Sequence, residues 1–409
     1  MKNLQIKTTW KNKNQKKLKT SIVESNLPRL KQGEILVEML YVPIHGSFWL
    51  ASHPNGLHPR LDEFMSNNSF VFGNGGVGRI VQSKANEKDV RNGDYVCIYG
   101  HVPCAHYDCY ACTVLHRYTE CDYGEGTILG HGKGSYSGTF ANYVVLPKYS
   151  FEVCYRENEN PKEEQLIPFM FAFLFADIRN ALTRHPDTLR SSHRMLLFGA
   201  GYSAQIAAYL HSKSCPESKI FVVESSEKML EQLVSSIGSK TRKFLLPNQI
   251  VQQLNNEQRR IGFRHELNSI IKEIEVQMID FFDGRTPNLL FDASSGNTAP
   301  LWDNNHILAP TTHCIPFGFA SEYILLNKEI IQMSGLSIMM SRGVGNIRNR
   351  KEVIELIKSG AHEFIESSII KNSKRLIGIQ KAISFIKRMQ EPPRSLEEIN
   401  HSYIDFQNN

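Results

Sequence analysis

The 409-residue sequence predicts an α/β protein of two domains, a β-barrel followed by a doubly wound parallel sheet. Three observations predict it. Short strand-like runs bounded by Gly, Asn, Asp or Pro fill the chain up to about residue 155. Strand and helix patterns alternate from Met195 onward, as parallel βαβ units require. Between these two regions lies a strongly apolar stretch, Gln165 to Leu182.

At the start of the chain, Leu4, Ile6 and Trp10 interleave with polar residues and predict a hairpin. Lys2, Lys7, Lys11, Lys13, Lys16, Lys17 and Lys19 read as its solvated edge, where lysine discourages strand addition, in preference to a nucleic-acid arm. Barrel strands are predicted at Gly33–Val42, Gly78–Ser83, Asp94–Tyr99 and Phe140–Leu146. Phe169, Phe171, Phe173 and Phe175 alternate as in a buried strand, but the length of the run and the A-D-I-R-N-A-L that follows favour a core helix. Strands are then predicted at Met195–Phe198, Lys219–Val223, Asn288–Asp292 and Thr312–Pro316, with helices at Ala204–Ser212 and Glu227–Ile237. Residues 240–285 carry more helix than one crossover needs and read as an insertion. Lys351–Lys358 and Lys374–Arg388 read as helices, and the polar tail after Pro392 as loosely held. The domain division is 1–165, 166–340 and a C-terminal segment 341–409 that returns to the first domain.

Composition narrows the class. Apolar content of 41% and charged content of 22% are those of an ordinary globular chain, and the net charge of +6 is mild. Eight cysteines in so long a chain do not make a disulfide framework, so reduced thiols or metal ligands are expected. The basic start is not followed by an apolar core, and Ile167–Ala176 is too short to span a bilayer. A cytoplasmic protein with no membrane partner is expected. With no concentrated basic helix and no stacking motif, no nucleic-acid partner is expected either.

Two segments fit a glycine fingerprint. Gly73-Asn-Gly75-Gly-Val-Gly78 matches G-x-G-x-x-G literally but leads into strand-like R-I-V, whereas a phosphate needs the amides of a helix N-terminus. Gly199-Ala-Gly201-Tyr-Ser-Ala204 follows a strand and opens an apolar helix, as the mechanism requires. Gly199 would make the tight turn, Gly201 would let backbone approach a pyrophosphate, and Ala204 would allow close helix–strand packing. Glu224, ending F-V-V-E, can accept from both ribose hydroxyls and repel a 2′-phosphate, which favours NAD over NADP. The competing reading is an exposed acid, with Ser225, Ser226 and Lys228 tolerating NADP.

The ordered set G-E-I-L-V-E-M-L-Y-V-P-I-H-G-S, F-G-N-G-G-V-G-R-I-V, V-R-N-G-D-Y-V, the cysteine-rich stretch after His101, S-G-T-F-A-N-Y-V-V-L-P, the glycine turn and L-L-F-D-A-S-S-G resembles the medium-chain dehydrogenase/reductase superfamily, the zinc alcohol dehydrogenase-like proteins. The resemblance runs from near Leu4 to Arg388. It implies a GroES-like barrel domain with a Rossmann domain, a substrate cleft between them, NAD or NADP as cofactor, and a homodimer as one option. It also implies a structural zinc on a lobe at about 104–121. Cys109, Cys112 and Cys121 match the family ligands, with one extra residue before the last, and the remaining position is open between His106 and Cys104. Four protein ligands leave no open position, so such a zinc would hold the fold.

The family's catalytic zinc is another matter. Its ligand positions fall on His45, on Asn74 and Gly75, and near Phe173. Asparagine is a poor zinc ligand and phenylalanine none, while catalysis needs about three protein ligands and an open site. His53 and His58 read as loop histidines rather than a rebuilt site. The expectation is therefore hydride transfer without a catalytic zinc, to an activated C=C or C=N bond of a small apolar or aromatic substrate. Candidate proton-handling residues are His45, Ser47 and Asp177. His45 could equally fill the vacated space, Ser47 could be a turn serine, and Asp177 could pair with Arg179. Phe48, Trp49 and Phe173 line the pocket or belong to the core. Two alternatives stay open: an alcohol/carbonyl dehydrogenase using His45 as acid/base, and a dinucleotide-binding protein without catalysis.

Overall fold

The structure, a computed structural model, describes residues 2–44, 48, 54, 62, 65, 68–86, 90–104, 106–114, 121–123, 127–130, 136–183, 193–238, 240–250, 264–294, 301, 307, 312–317, 337–338, 347–389 and 402–407. The chain divides into two compact units, residues 1–177 with 342–409 and residues 178–341. The first division falls at Asp177, inside the aromatic helix, and not at 165.

In the first unit, β1 (Lys2–Asn12) and β2 (Lys17–Asn26) form the lysine-edged hairpin, and β4 (Ser69–Val71) pairs with β1. Leu4, Ile6 and Trp10 turn to the core side, Ile6 being 1% exposed. β3 (Ile35–Ile44) is buried on both faces over most of its length, the signature of a central strand. It pairs with β5 (Gly76–Ser83), which pairs with β6 (Tyr95–Ile98). β7 (His101–Val102) and β8 (Thr127–Ile128) form a small ribbon beside the cysteine lobe, whose single turn α1 spans Tyr110–Thr113. β9 (Tyr143–Leu146) pairs with β3, and β10 (Phe151–Tyr155) with β6. The aromatic run is helical: short turns over Glu163–Phe171 lead into α2 (Ala172–Thr183). By length and composition the stretch Glu163–Thr183 could cross a membrane, but 72% of its apolar window is buried here as core.

The second unit is a six-stranded parallel sheet in the order β13-β12-β11-β14-β15-β16. Its strands are β11 (Arg194–Phe198), β12 (Lys219–Glu224), β13 (Thr241–Leu245), β14 (Leu289–Asp292), β15 (His313–Pro316) and β16 (Ser337–Ile338). α3 (Tyr202–Ser214) follows β11 and α4 (Glu227–Ile237) follows β12. Ser226 caps α4 by accepting from the Met229 N–H at 3.4 Å. The helix-rich segment expected as an insertion contains edge strand β13 before the 18-residue helix α5 (Arg264–Phe281). β13, with its polar T-R-K, carries little apolar signal because an edge strand buries only one residue, Phe244.

The first unit then resumes with α6 (Ile347–Leu356), β17 (Lys374–Ile377), α7 (Gly378–Met389) and β18 (Ser402–Asp405). Two expectations are corrected here. The helix predicted from Lys374 begins as a strand, and the tail predicted to be loose inserts as fully buried β18 between β3 and β17. The tail sequence S-Y-I-D-F is short and half polar, but its polar side chains are satisfied internally. Asp405, fully buried, accepts from Arg375 Nε at 2.8 Å and from the Gln407 N–H at 2.9 Å. Arg375 also reaches Glu163 at 2.5 Å.

Removing one partner of a buried pair strands the other, whereas an exposed pair such as Lys2–Glu24 contributes little. Asp405→Ala is therefore expected to lower the unfolding free energy in urea by about 2–4 kcal/mol, against roughly 0–1 for Lys2→Ala. Equal effects from the two would show that β18 is not anchored through this carboxylate.

Candidate functional site

The cysteine lobe is built by a tight turn. The Cys109 N–H donates to the His106 carbonyl at 3.3 Å, and the Thr113 hydroxyl donates to the Cys109 carbonyl at 2.6 Å. This winds Cys109–Thr113 into one helical turn and turns both Cys109 and Cys112 inward, each no more than 1% exposed. Sγ atoms of Cys104, Cys109, Cys112 and Cys121 all lie within 4.8 Å of one another. The Cys109–Cys121 separation is 3.8 Å. That is far beyond a disulfide bond of about 2 Å, but it is the edge of a tetrahedron whose centre lies about 2.3 Å from each sulfur, the zinc–thiolate length. The arrangement can hold a tetrahedral metal ion. Burial pushes the Cys104 and Cys112 thiols up, so thiolates at these positions call for a cation.

His106 is not part of the group. Its ring stacks on Tyr123, centroids 3.9 Å apart, and the fourth donor in the cluster is Cys104. Both lay near the expected spacing, and only the path of the turn separates them.

The dinucleotide fingerprint lies in the second unit. The literal match at Gly73–Gly78 runs into β5 and has no helix to offer an anion. At the other match, Gly199 has φ +92°, the left-handed conformation that favours glycine. Its missing side chain lets Ala293 and Ser294 approach, since a Cβ would stand 3.2 Å from their backbone. Gly201 is the N-cap of α3, and no side chain caps that end. A Cβ there would meet only Met229 Cε at 3.7 Å, so the backbone is open to a close ligand. Ala204 is fully buried. These are the properties a pyrophosphate-binding turn needs.

Glu224 ends β12 beside this turn. Its Oε2 accepts the Ala200 N–H at 2.7 Å, and its Oε1 accepts from Ser225 N–H at 2.6 Å and from Ser226 N–H and Ser225 Oγ at 3.0 Å. Oε1 thus carries three hydrogen bonds and Oε2 one, which fixes the carboxylate beside the turn.

The family's catalytic metal positions lie in the first unit. His45 and Ser47, with Trp49, His53 and His58, fall outside the described residues. Asn74 and Gly75 lie on a loop strapped by the neighbouring chain. The Thr139 hydroxyl donates to the Gly75 carbonyl at 2.7 Å, the Thr139 N–H to the Gly73 carbonyl at 2.9 Å, and the Phe140 N–H to the Phe72 carbonyl at 3.0 Å. Against this loop lies the Phe173 ring. A Cβ added at Gly75 would overlap the ring edge and stand 2.8 Å from Phe173 Cγ. One ligand position has thus become the space for the side chain at another, and no carboxylate fits at 75 while the ring is there. Phe48 is core: its ring centroid is 4.4 Å from Phe140 and 5.0 Å from Phe72.

One helical turn beyond Phe173 stands Asp177. The residue keeps some surface, but Oδ1 is sealed from solvent. Burial raises its carboxyl to about 7, opposed by the positive charge of Arg350. Arg350 lies on α6. Asn349 Nδ2 donates to the Ala176 carbonyl at 3.0 Å, Arg350 Nη1 donates to the Tyr149 carbonyl, and the guanidinium lies 5.2 Å from the Tyr99 ring centroid. Sequence reasoning missed Thr139, Asn349 and Arg350. For the last two a signal existed: they precede Val353 and Ile354 by four residues and share their buried face.

The fold is that of a two-unit protein with a barrel-type first unit and a six-stranded parallel sheet in the second. Residues 31–154 match the model of the alcohol dehydrogenase GroES-like domain, and the fold of the whole chain is similar to that of solved alcohol dehydrogenases. Among solved structures, an alcohol dehydrogenase from Thermotoga maritima is similar at TM-score 0.73 and 15% identity, covering 99% of each chain. A short chain alcohol dehydrogenase from E. coli complexed with NADH has TM-score 0.69 and 19% identity, covering 99% of this chain and 100% of its own. A crotonyl-CoA carboxylase/reductase in complex with NADP has TM-score 0.69 and 14% identity, covering 98% and 94%. No curated protein sequence matches the chain.

Two expectations follow. Metal analysis of the purified protein should give about one zinc per chain, lost in Cys104→Ser and retained in His106→Ala; the reverse would assign the fourth ligand to His106. The second concerns Asp177, whose carboxyl titrates about three units above its unfolded value of 3.8. The folded state holds a proton that the unfolded chain releases, so stability is full below pH 4 and declines as pH rises to 7. The loss at pH 8 is on the order of 4 kcal/mol. Asp177→Asn should therefore be the more stable protein at pH 8 and match wild type near pH 4 in urea unfolding.

Proposed function

We propose that this chain is an NAD(P)-dependent oxidoreductase of the alcohol dehydrogenase-like type that transfers hydride without a catalytic zinc at positions 45, 74, 75 and 173, reducing an activated C=C or C=N bond. The observation that carries this reading is the Phe173 ring in the space a ligand at position 75 would need. A carbonyl of ordinary reactivity needs a Lewis acid or a strong protein acid to accept hydride; a conjugated enone or an iminium ion is already electrophilic. The apolar ring suits a small apolar or aromatic substrate. One of the structural neighbours is itself a carboxylase/reductase complexed with NADP.

Gly199, Gly201 and Ala204 would hold the dinucleotide through the open N-terminus of α3. A bound reduced nicotinamide supplies the hydride. Glu224 places negative charge where a 2′-phosphate would sit, which favours NAD. Asp177 donates the proton: a carboxyl raised to about 7 still carries one near neutrality and is acidic enough to give it to the carbon or nitrogen that receives the electron pair. Solvent then restores the proton. Cys104, Cys109, Cys112 and Cys121 would hold a structural zinc, which ties the lobe together and leaves no position for substrate.

The test is turnover of NADH and NADPH with enones and cyclic imines by protein holding one zinc per chain. Activity is expected to survive without a second equivalent of metal, and Asp177→Asn is expected to lower kcat roughly 10²–10⁴-fold with KM little changed. Turnover confined to alcohols or ketones and dependent on a second zinc would overturn the reading.

A further inference from the structure

Two exposed surfaces of the first unit serve neither its core nor the proposed chemistry. One is the outer skin of the cysteine lobe. Tyr107 is 92% exposed, Tyr110 and Val114 58% each, and Tyr123 45%. The other exposed large apolar or aromatic side chains among the described residues, Val81, Leu245, Val276 and Ile377, fall on four separate elements. The lobe patch is held in shape: the His106 ring stacks on Tyr123, and the Tyr123 hydroxyl donates to Asp108. The lobe sequence is also acidic. In 104–126, Asp108, Glu120, Asp122 and Glu125 stand against Arg117 as the sole Lys or Arg. Ordered tyrosines are the side chains that interfaces favour, since they bury much area at small entropy cost.

The other surface is the outer face of the β1–β2 hairpin. No Asp or Glu occurs in the first 23 residues. In the register, Thr9 stands opposite Lys19 and Lys7 opposite Ser21, while Thr8, Leu18 and Thr20 are buried. Alternation therefore puts Lys7, Lys17 and Lys19 on the face away from the core. Lys11 and Lys13 are exposed toward the tip. Lys2 and Lys16 pair with Glu24 and Asp62; among the described residues the other five lysines of this hairpin make no ion pair. A row of like charges repels itself, and an anionic partner would relieve it.

We propose that these two surfaces bind each other between two copies of this chain, the tyrosine lobe of one copy seating on the lysine face of the other's hairpin. Each supplies what the other lacks. Carboxylates and ring faces meet ammonium groups, and the lysine stems cover the rings. On the hairpin face, Lys7, Thr9, Lys17, Lys19 and Ser21 offer no ring on which a nucleic-acid base could stack and no apolar side chain to enter a bilayer. An acidic, aromatic protein surface is its complement, and the lobe is such a surface. About a twofold axis the contact is made twice, lobe to hairpin and hairpin to lobe, and the assembly closes as a dimer.

Sedimentation velocity of the full-length protein over a range of concentrations tests the contact. Wild type is expected to self-associate, and to do so more weakly in about 1 M than in about 0.1 M salt, as the Debye length falls from about 10 to about 3 Å. Lys17→Glu/Lys19→Glu and, separately, Tyr107→Ser/Tyr110→Ser should each weaken association about tenfold or more. An equimolar mixture of the two variants should recover it as a mixed pair, since the intact lobe of one meets the intact hairpin of the other. Circular dichroism checks that both variants fold; if the lobe variant does not, Tyr107→Ser alone takes its place. Wild type and both variants sedimenting alike, or a mixture that recovers nothing, would overturn the contact. So would a wild type whose mass is independent of concentration and whose lysines instead bind duplex DNA or anionic vesicles.

Discussion

The contact between Phe173 and Gly75 is the constraint on which the proposed chemistry rests. It is held from both sides. The loop is pinned through its carbonyls by Thr139 and by the Phe140 N–H, and the ring sits in the first turn of a helix whose next turn accepts a hydrogen bond from Asn349. Neither partner can withdraw without breaking backbone hydrogen bonds in a buried setting, where each costs on the order of 1–3 kcal/mol. A carboxylate and an imidazole around an open cation would need the volume that the ring now occupies. The substitution of residues and the filling of space are one event.

The same unit holds a buried guanidinium, and taking a charge out of water is costly. Arg350 is removed from water entirely, and two carboxyls near it are raised by the same burial. Hydrophobic residues of similar size would give a more stable barrel. At the Asp405–Arg375 anchor, by contrast, the buried acid is bonded in place and holds a strand.

Much of the fold was legible in the sequence because it repeats strong periodic signals. β3, β11, β12 and β14 are nearly continuous apolar runs, and α4 spans the predicted Glu227–Ile237. The failures share a cause. β13 and β17 are short polar edge strands, and β18 owes its burial to Asp405 finding Arg375, which no local pattern reveals. At the sites, cysteine spacing located the lobe but could not choose between Cys104 and His106, since that depends on how one turn is wound. The residues at the family's metal positions were readable one by one. That two of them had become partners in packing was not, because Gly75 and Phe173 are far apart in the chain.

Tyr149 ties these regions together. It is a tyrosine with φ +72°, a strained geometry for a bulky side chain, costing on the order of 1–3 kcal/mol. Its carbonyl grips the Arg350 guanidinium while its ring rests against the cysteine cluster. The knuckle is therefore a buttress as well as a staple. Oxidants that attack its sulfurs, or chelators that strip an ion held among them, would slacken the bent backbone at Tyr149 and so reach the Arg350 guanidinium that its carbonyl holds.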